Sequence, residues 1–197
     1  MPARVTFREG ARVYLRPRIE SDIPCLFKWS NDPDILKFLS YQYPRSEAEI
    51  RQSIMDDSKQ LDRFAFIIVL KGKAPEHDRP IGWMTLFNID RDNGTAITGA
   101  AIGERDCQCC GYGTEAKMLL LDFAFNTVNL RKVYSHVYAV NKRSLRYSEK
   151  CGYRHEATLP KHKSLGGRLI DEHILAVYAD RWRMLWKKSR KSILPKK

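Results

Sequence analysis

Apolar and polar positions change period several times along the chain, and each change predicts an element. Arg12-Val13-Tyr14-Leu15-Arg16 alternates and predicts a first strand. Ser21-Asp22 starts a helix through Ile23, Leu26, Phe27 and Trp29, which Asn31-Asp32-Pro33-Asp34 ends while opening a short second one. Ser46 begins a third helix, with Glu49 at the capping-box position. The short β-rich run Phe64 to Leu70 predicts a well-buried strand, and Lys71 to Arg79 a polar loop. Ile81–Ile89 and Thr95–Gly103 predict a hairpin across Asp92-Asn93-Gly94. A helix over 114–126 and a strand over Lys132 to Val140 follow, and strand, helix, strand at this spacing predicts a right-handed crossover between parallel strands. Ser144 to Lys150 predicts a helix stopped by Gly152. Tyr153–Leu159 and Arg168–Tyr178 then predict a closing antiparallel pair around Gly166-Gly167, with Trp182 in a short basic amphipathic piece behind it.

The order of elements gives one mixed α/β domain, with no internal repeat and no linker. A length of 197 residues, with 43% hydrophobic and 29% charged, suits a single globular domain with a sizeable core. No run approaches the roughly 18 to 20 apolar residues of a membrane span, and Met1-Pro2-Ala3-Arg4 does not begin a signal peptide. Cys25, Cys107, Cys109, Cys110 and Cys151 are odd in number and crowded, which predicts free thiols in a reducing cytoplasm. No paired Cys-x-x-Cys or His-x-x-x-His accompanies them, so no metal is expected.

Charge changes the picture more. The chain carries +12, and residues 160–197 hold eleven Lys and Arg against three acidic residues. Such a tail is usually a solvated, mobile charge run, and it also attracts phosphate-rich partners such as nucleic acid or ribosomes.

The strongest chemical signal is Gln108-Cys109-Cys110-Gly111-Tyr112-Gly113-Thr114-Glu115, a tight turn opening into an apolar helix. Glycines one residue apart let backbone N–H groups point outward, and a helix N-terminus adds about half a positive charge. Strand, glycine turn and helix start together make an anion site, though a plain tight connection has the same sequence. No Gly-Lys-Ser/Thr follows and the three-glycine dinucleotide spacing is missing, which sets both of those nucleotide sites aside.

Several segments, in order, resemble the RimJ/RimL-like branch of the GNAT acyltransferases. Leu15-Arg16-Pro17 with Asp22 and Trp29 is similar to the branch's opening. Gln108-x-x-Gly111-x-Gly113 with Thr114-Glu115-Ala116 is similar to its acetyl-CoA pyrophosphate loop. Asn141-x-x-Ser144-x-Arg146 and Glu149-Lys150-x-Gly152-Tyr153 are similar to its second cofactor motif, and Asp171 and Trp182 to its ending. The likeness covers residues 12–182, leaving a short extension (1–11) and a basic tail (183–197) outside.

The resemblance implies an acetyl-CoA-dependent N-acetyltransferase of α/β (α+β mixed) class, with a mostly antiparallel twisted sheet, one splayed parallel pair and flanking helices. Acetyl-CoA would be the co-substrate and no metal is implied. Ala101 and Ile102 would pair with the pantetheine arm. Gln108, Cys109, Cys110, Gly111, Tyr112, Gly113 and Thr114 would hold the pyrophosphate, with Asn141 and Ser144 on the arm. Many relatives place a Tyr acid seven residues after the motif Asn; here that position is Ser148, with Tyr147 beside it. Adjacent helix residues point about 100° apart, so both cannot face one thiol. Ser148 is the expected acid, since some RimL-like members use Ser there, and Tyr147 is expected to pack. Glu104 is expected as base, ahead of His136. The acceptor side would draw on Trp29, Tyr41, Tyr43, Trp83 and His173.

The implied acceptor is a protein N-terminal α-amine, with a nucleotide-linked amino sugar, an aminoglycoside or a polyamine as alternatives, and the chain is expected to be a monomer or homodimer. An α-amine with pKa about 7.7–8 is roughly a tenth neutral at pH 7, so it needs little help from a base. Strong positive charge disfavours a polycationic acceptor. A competing class is a basic nucleic-acid-binding domain of the same fold without catalysis. It needs aromatics among the basic residues, and the tail offers only Trp182 and Trp186.

Overall fold

The computed structural model describes residues 5–39, 43–57, 59–60 and 62–195. Its eight strands form one sheet in the order β1-β2-β3-β4-β5-β6-β8-β7. They are β1 (Arg8–Glu9), β2 (Val13–Pro17), β3 (Phe64–Leu70), β4 (Arg79–Asp90), β5 (Thr95–Ile102), β6 (Lys132–Tyr138), β7 (Arg154–Leu165) and β8 (Arg168–Tyr178). Every neighbouring pair is antiparallel except β5 and β6. This is the mixed sheet with one parallel pair that the resemblance implied.

Helices cover both faces. On one lie α1 (Ile23–Ser30), α2 (Pro33–Leu36) and α3 (Glu47–Asp57), over a core of Tyr14, Ile23, Leu26, Trp29, Ile67 and Val69. On the other lie α4 (Tyr112–Asn126), α5 (Lys142–Lys150) and α6 (Ala179–Ile193). Their larger core includes Leu15, Ile68, Met84, Phe125, Val133 and Trp182. Burial on both faces is why Ala65 to Val69 is apolar throughout and does not alternate.

Local caps follow their sequence signals. Asp32 Oδ1 accepts from the Asp34 N–H at 2.8 Å, and Ser46 and Glu49 form the reciprocal capping pair, with the Ser46 N–H 2.7 Å from Glu49 Oε2. Arg16 and the buried carboxylate of Asp22 form a two-pronged pair at 2.7 and 2.6 Å, so the opening motif ties β2 to the start of α1.

The chain ends differ from expectation. Before residue 12, Arg8 and Glu9 pair with Leu15 and Tyr14, and the Phe7 ring stacks on Phe66 at 4.7 Å. After Trp182 the expected mobile tail is instead the continuation of α6 to Ile193. Ala179, Trp182, Trp186 and Ile193 fall on one helical stripe. Trp182 is fully buried, its ring stacks on Trp186 at 5.1 Å, and the Ile193 carbonyl accepts from the Ala11 N–H at 2.6 Å. The density of basic residues hid this stripe in the sequence. Lys196 and Lys197 lie outside the described residues. Among the described residues no helix is long and apolar enough to cross a membrane.

Candidate active site

β5 and β6 pair over only three positions, Thr95↔Lys132 to Ile97↔Tyr134. Pairing ends where the Thr98 hydroxyl donates to the Tyr134 carbonyl at 3.1 Å. Beyond it Gly99–Ile102 pair with β4 alone, leaving a strand edge open to a ligand. A cleft of about 810 Å³ occupies the opening. Residues of both sheet faces line it. Thr98, Ala100 and Ile102 belong to the α4 side, while Gly99, Ala101, Trp83 and His136 belong to the α1–α3 side.

The glycine turn closes one end of the cleft. Gly111 caps α4 at φ 85°, a left-handed conformation suited to glycine, and Cys109 holds φ 62°. A Cβ on Gly113 would stand 3.6 Å from Ile102 and 3.7 Å from Tyr147, so this position faces the cleft. Cys109, Gly111, Gly113 and Thr114 line the cleft. The side chains of Cys110 and Tyr112, expected in the cofactor set, do not line it. Arg12 draws this corner outward, donating to the Cys110 carbonyl at 3.0 Å and lying 4.8 Å from the Tyr112 ring centre.

Glu115, in the same motif, is structural. It is buried and accepts from the Arg12 and Val13 N–H groups at 2.7 and 3.1 Å and from Arg12 Nε at 2.9 Å. It thereby joins α4 to β2. Gln108 bridges the cleft rim, donating to the Ile102 carbonyl at 3.0 Å and accepting from Arg143 at 2.5 Å.

On α5, Asn141 lines the cleft and caps the helix, its Oδ1 accepting from the Ser144 N–H at 3.0 Å. Ser144 and Tyr147 line the cleft; Ser148 does not. Ser148 is fully buried and its hydroxyl has no partner. This corrects the expectation for Ser148 and Tyr147. The helix turns its 143-146-147-150 side to the opening and directs Ser148 inward. The Tyr147 hydroxyl is buried and unpartnered, and burial raises its pKa well above the ordinary phenol value.

Lys117 of α4 carried no sequence-based assignment. It lines the cleft at 1% exposure, donating from Nζ to Thr98 Oγ1 at 2.7 Å, with the Tyr147 and Tyr153 rings each 5.4 Å away. Burial lowers its pKa to about 8, with Cys151 opposing the shift. The signal was a lysine inside an otherwise apolar helical run, where a solvent-facing lysine has no place.

The acceptor expectations divide. Trp83 lines the cleft. Trp29 does not: it is fully buried, stacked on Trp83 at 6.1 Å, with its indole N–H donating to Glu104 at 2.8 Å. Glu104 is therefore taken up by Trp29 and by Lys28 at 2.9 Å, away from the cleft lining. Burial raises its carboxyl pKa, but the hydrogen bonds from Lys28 and Trp29 outweigh this and hold it below the usual value. It is poorly placed as the base. Tyr43 is 78% exposed, and Tyr41 lies outside the described residues.

His173 is also off the cleft, 2.9 Å from the Thr158 hydroxyl and edge-on to His155. Alternation explains it: His173 pairs with Val137, whereas its neighbour Glu172 pairs with Tyr138 and shares the face of His136. Glu172 is buried, lines the cleft, and lies 3.5 Å from His136, 3.6 Å from His162 and 3.7 Å from Lys163. Sequence reading missed it by one residue.

Among the described residues no group of three or more His, Cys, Asp and Glu is arranged for a metal ion. Cys107 is buried, with Arg79 donating to its sulfur at 2.8 Å, and Cys109 and Cys110 are exposed.

A family model described as an acetyltransferase (GNAT) domain matches residues 12–154. The SPbeta prophage-derived uncharacterized N-acetyltransferase YokL of Bacillus subtilis (strain 168) is 31% identical over 158 residues, covering 80% of this chain and 84% of that protein. The uncharacterized N-acetyltransferase p20 of Bacillus licheniformis is 27% identical over 169 residues, covering 84% and 92%. Among solved structures, spermidine N-acetyltransferase from Vibrio cholerae in complex with CoA and spermine matches with a TM-score of 0.79 at 20% identity, over 87% of this chain and 98% of that one. At that identity it speaks for the fold.

Proposed function

The chain belongs to the GNAT acetyltransferase family and is an acetyl-CoA-dependent N-acetyltransferase, and on that premise we propose that its acceptor is a primary amine flanked by acidic groups. A protein N-terminal α-amine, as in the RimJ/RimL-like branch, is the acceptor of this kind that fits best. The observation carrying the reading is the lining of the cleft: eight Lys and Arg side chains against the two carboxylates of Asp34 and Glu172.

The residues present fit acetyl-CoA. The glycine turn offers backbone donors at a helix N-terminus, Arg143, Arg146 and Lys150 give the rim positive charge, and the open edge of β5 leads inward. Acetyl-CoA supplies an activated acyl carbon on a thiol leaving group. On the opposite face, Arg18, Arg45, Arg63 and Lys163 line the approach of the acceptor. Arg18 and Arg63 both face Asp57, so two cations share one carboxylate there and a positive excess remains. A polyamine would be repelled, whereas an acidic peptide or a phosphate-bearing amino sugar would be drawn in.

His136 is the base in this reading, oriented by buried Glu172, and it takes the proton the amine loses as the amide forms. Its task is light for an α-amine, which is already partly neutral at pH 7. Thiol release from acetyl-CoA over N-terminal peptides of varied charge, spermidine, aminoglycosides and nucleotide amino sugars tests the proposal. Peptides with acidic residues near the amine should give the highest kcat/KM. Faster turnover of spermidine than of any acidic acceptor would overturn it.

A further inference from the structure

Lys117 is the buried charge that the acceptor chemistry leaves unexplained. No carboxylate among the described residues pairs with it, although a lone buried ammonium is costly. Among the described residues its hydrogen-bond partner is Thr98, whose hydroxyl donates to Tyr134 and receives from Lys117 at the point where β5 and β6 separate. Beside it the Tyr147 hydroxyl is buried without a partner and lines the same cleft. An ammonium with spare N–H groups therefore lies 5.4 Å from the ring of a tyrosine whose hydroxyl has no partner, and both residues line the cleft.

The place matters. The glycine turn fixes the phosphate end of the donor, and the open edge runs from Ile102 back to Thr98, roughly 13 Å over four extended residues. An arm anchored at the turn and laid along that edge brings its reacting end to Thr98, Lys117 and Tyr147. We propose that Lys117 is a catalytic residue that gives its Nζ proton to the CoA sulfur as the thioester breaks, with Tyr147 donating a hydrogen bond to the same atom.

The exchange balances. The amine nitrogen bonds to the acyl carbon, the C–S bond breaks with its electron pair on sulfur, and the Lys117 proton joins that pair to give the free thiol. The proton lost by the amine leaves through His136, and water returns one to Lys117. The proton affinities suit the step. Lys117, lowered to about 8, lies close to a free thiol at about 8.5, so transfer between them is nearly level. Tyr147, raised by burial, keeps its proton and can only share it. The titratable groups around the ammonium are Tyr147, Tyr153 and Cys151. Burial raises all three, Cys151 to about 12, so they stay neutral through the working range. Lys117 is thus the group here that changes charge near pH 8.

This inference rests on the use of acetyl-CoA but not on the identity of the acceptor, so its deciding test needs none and the turnover test serves with any amine that is acetylated. Free CoA is titrated on the enzyme and its thiolate followed by ultraviolet absorbance. The bound thiol should titrate about one unit or more below the free thiol in the wild type, and Lys117→Met should abolish the shift. In turnover, kcat should fall as pH rises through about 8, where Lys117 loses its proton. Lys117→Met should lack that fall and lose about 10²-fold in kcat with acetyl-CoA KM unchanged. A bound thiol that titrates at or above its free value in the wild type overturns the proposal even if every variant fails to fold. An unchanged shift in folded Lys117→Met overturns it too.

Discussion

On the α4 side of the sheet the cleft is made largely of backbone: the turn at Gly111 and Gly113, the start of α4, and the open edge of β5. On the α1–α3 side it is made of side chains from distant segments, with Arg18, Arg45 and Arg63 facing Trp83, His136 and Glu172. Backbone sites need glycine and a helix start at fixed spacing, and they serve any ligand with the same phosphate end. Side-chain sites are set by which residue of each strand faces inward, and a single substitution redirects them. In the proposed reading the backbone half holds the donor and carries the family's chemistry, and the side-chain half sets this chain's own specificity.

The largest expected effect tests the backbone half. Gly113→Ala should be tolerated, because its Cβ meets only ordinary contacts. Gly113→Trp should fill the arm's entry, remove the rise in Tm that acetyl-CoA causes, and lower kcat/KM by roughly 10²-fold or more. An unchanged rise in Tm with Gly113→Trp would move the donor elsewhere.

An intermediate effect probes the side-chain half. Glu172→Gln should lower kcat about tenfold for an α-amine and more for a lysine-like amine, while the acetyl-CoA-induced rise in Tm persists. Equal losses for the two kinds of amine would detach Glu172 from proton removal. The smallest effect separates adjacent residues of α5. Ser148→Ala should leave kcat within about twofold, since its hydroxyl is buried, unpartnered and off the cleft. A tenfold loss would restore Ser148 as the acid and count against Lys117.

What could be read from sequence follows the same division. The turn, the crossover and the caps at Asp32 and Ser46 were legible because each depends on residues close in the chain. The pairing of Arg16 with Asp22 lies within six residues and was marked by its motif. The acceptor side was not legible in this way. Whether Glu172 or His173 faces the cleft depends on the register between β6 and β8, and a one-residue slip exchanges them. Trp29 and Glu104 were expected in the site from the resemblance and their place on the early helix and after the fourth strand, yet they hydrogen-bond each other. The motif offset pointed to Ser148, but the rotation of α5 against the sheet puts Tyr147 on the opening. In α6 the amphipathic start at Trp182 was legible, but the basic residues after it concealed that the helix runs on to Ile193.

The most direct test is backbone amide hydrogen exchange with and without acetyl-CoA, in the absence of any acceptor. Slowed exchange should concentrate at residues 99–102 and 109–114 and at the start of α5, with the amides of α1 and α3 little changed. Protection confined to α1–α3, or missing from both the glycine turn and the open edge of β5, would contradict the account.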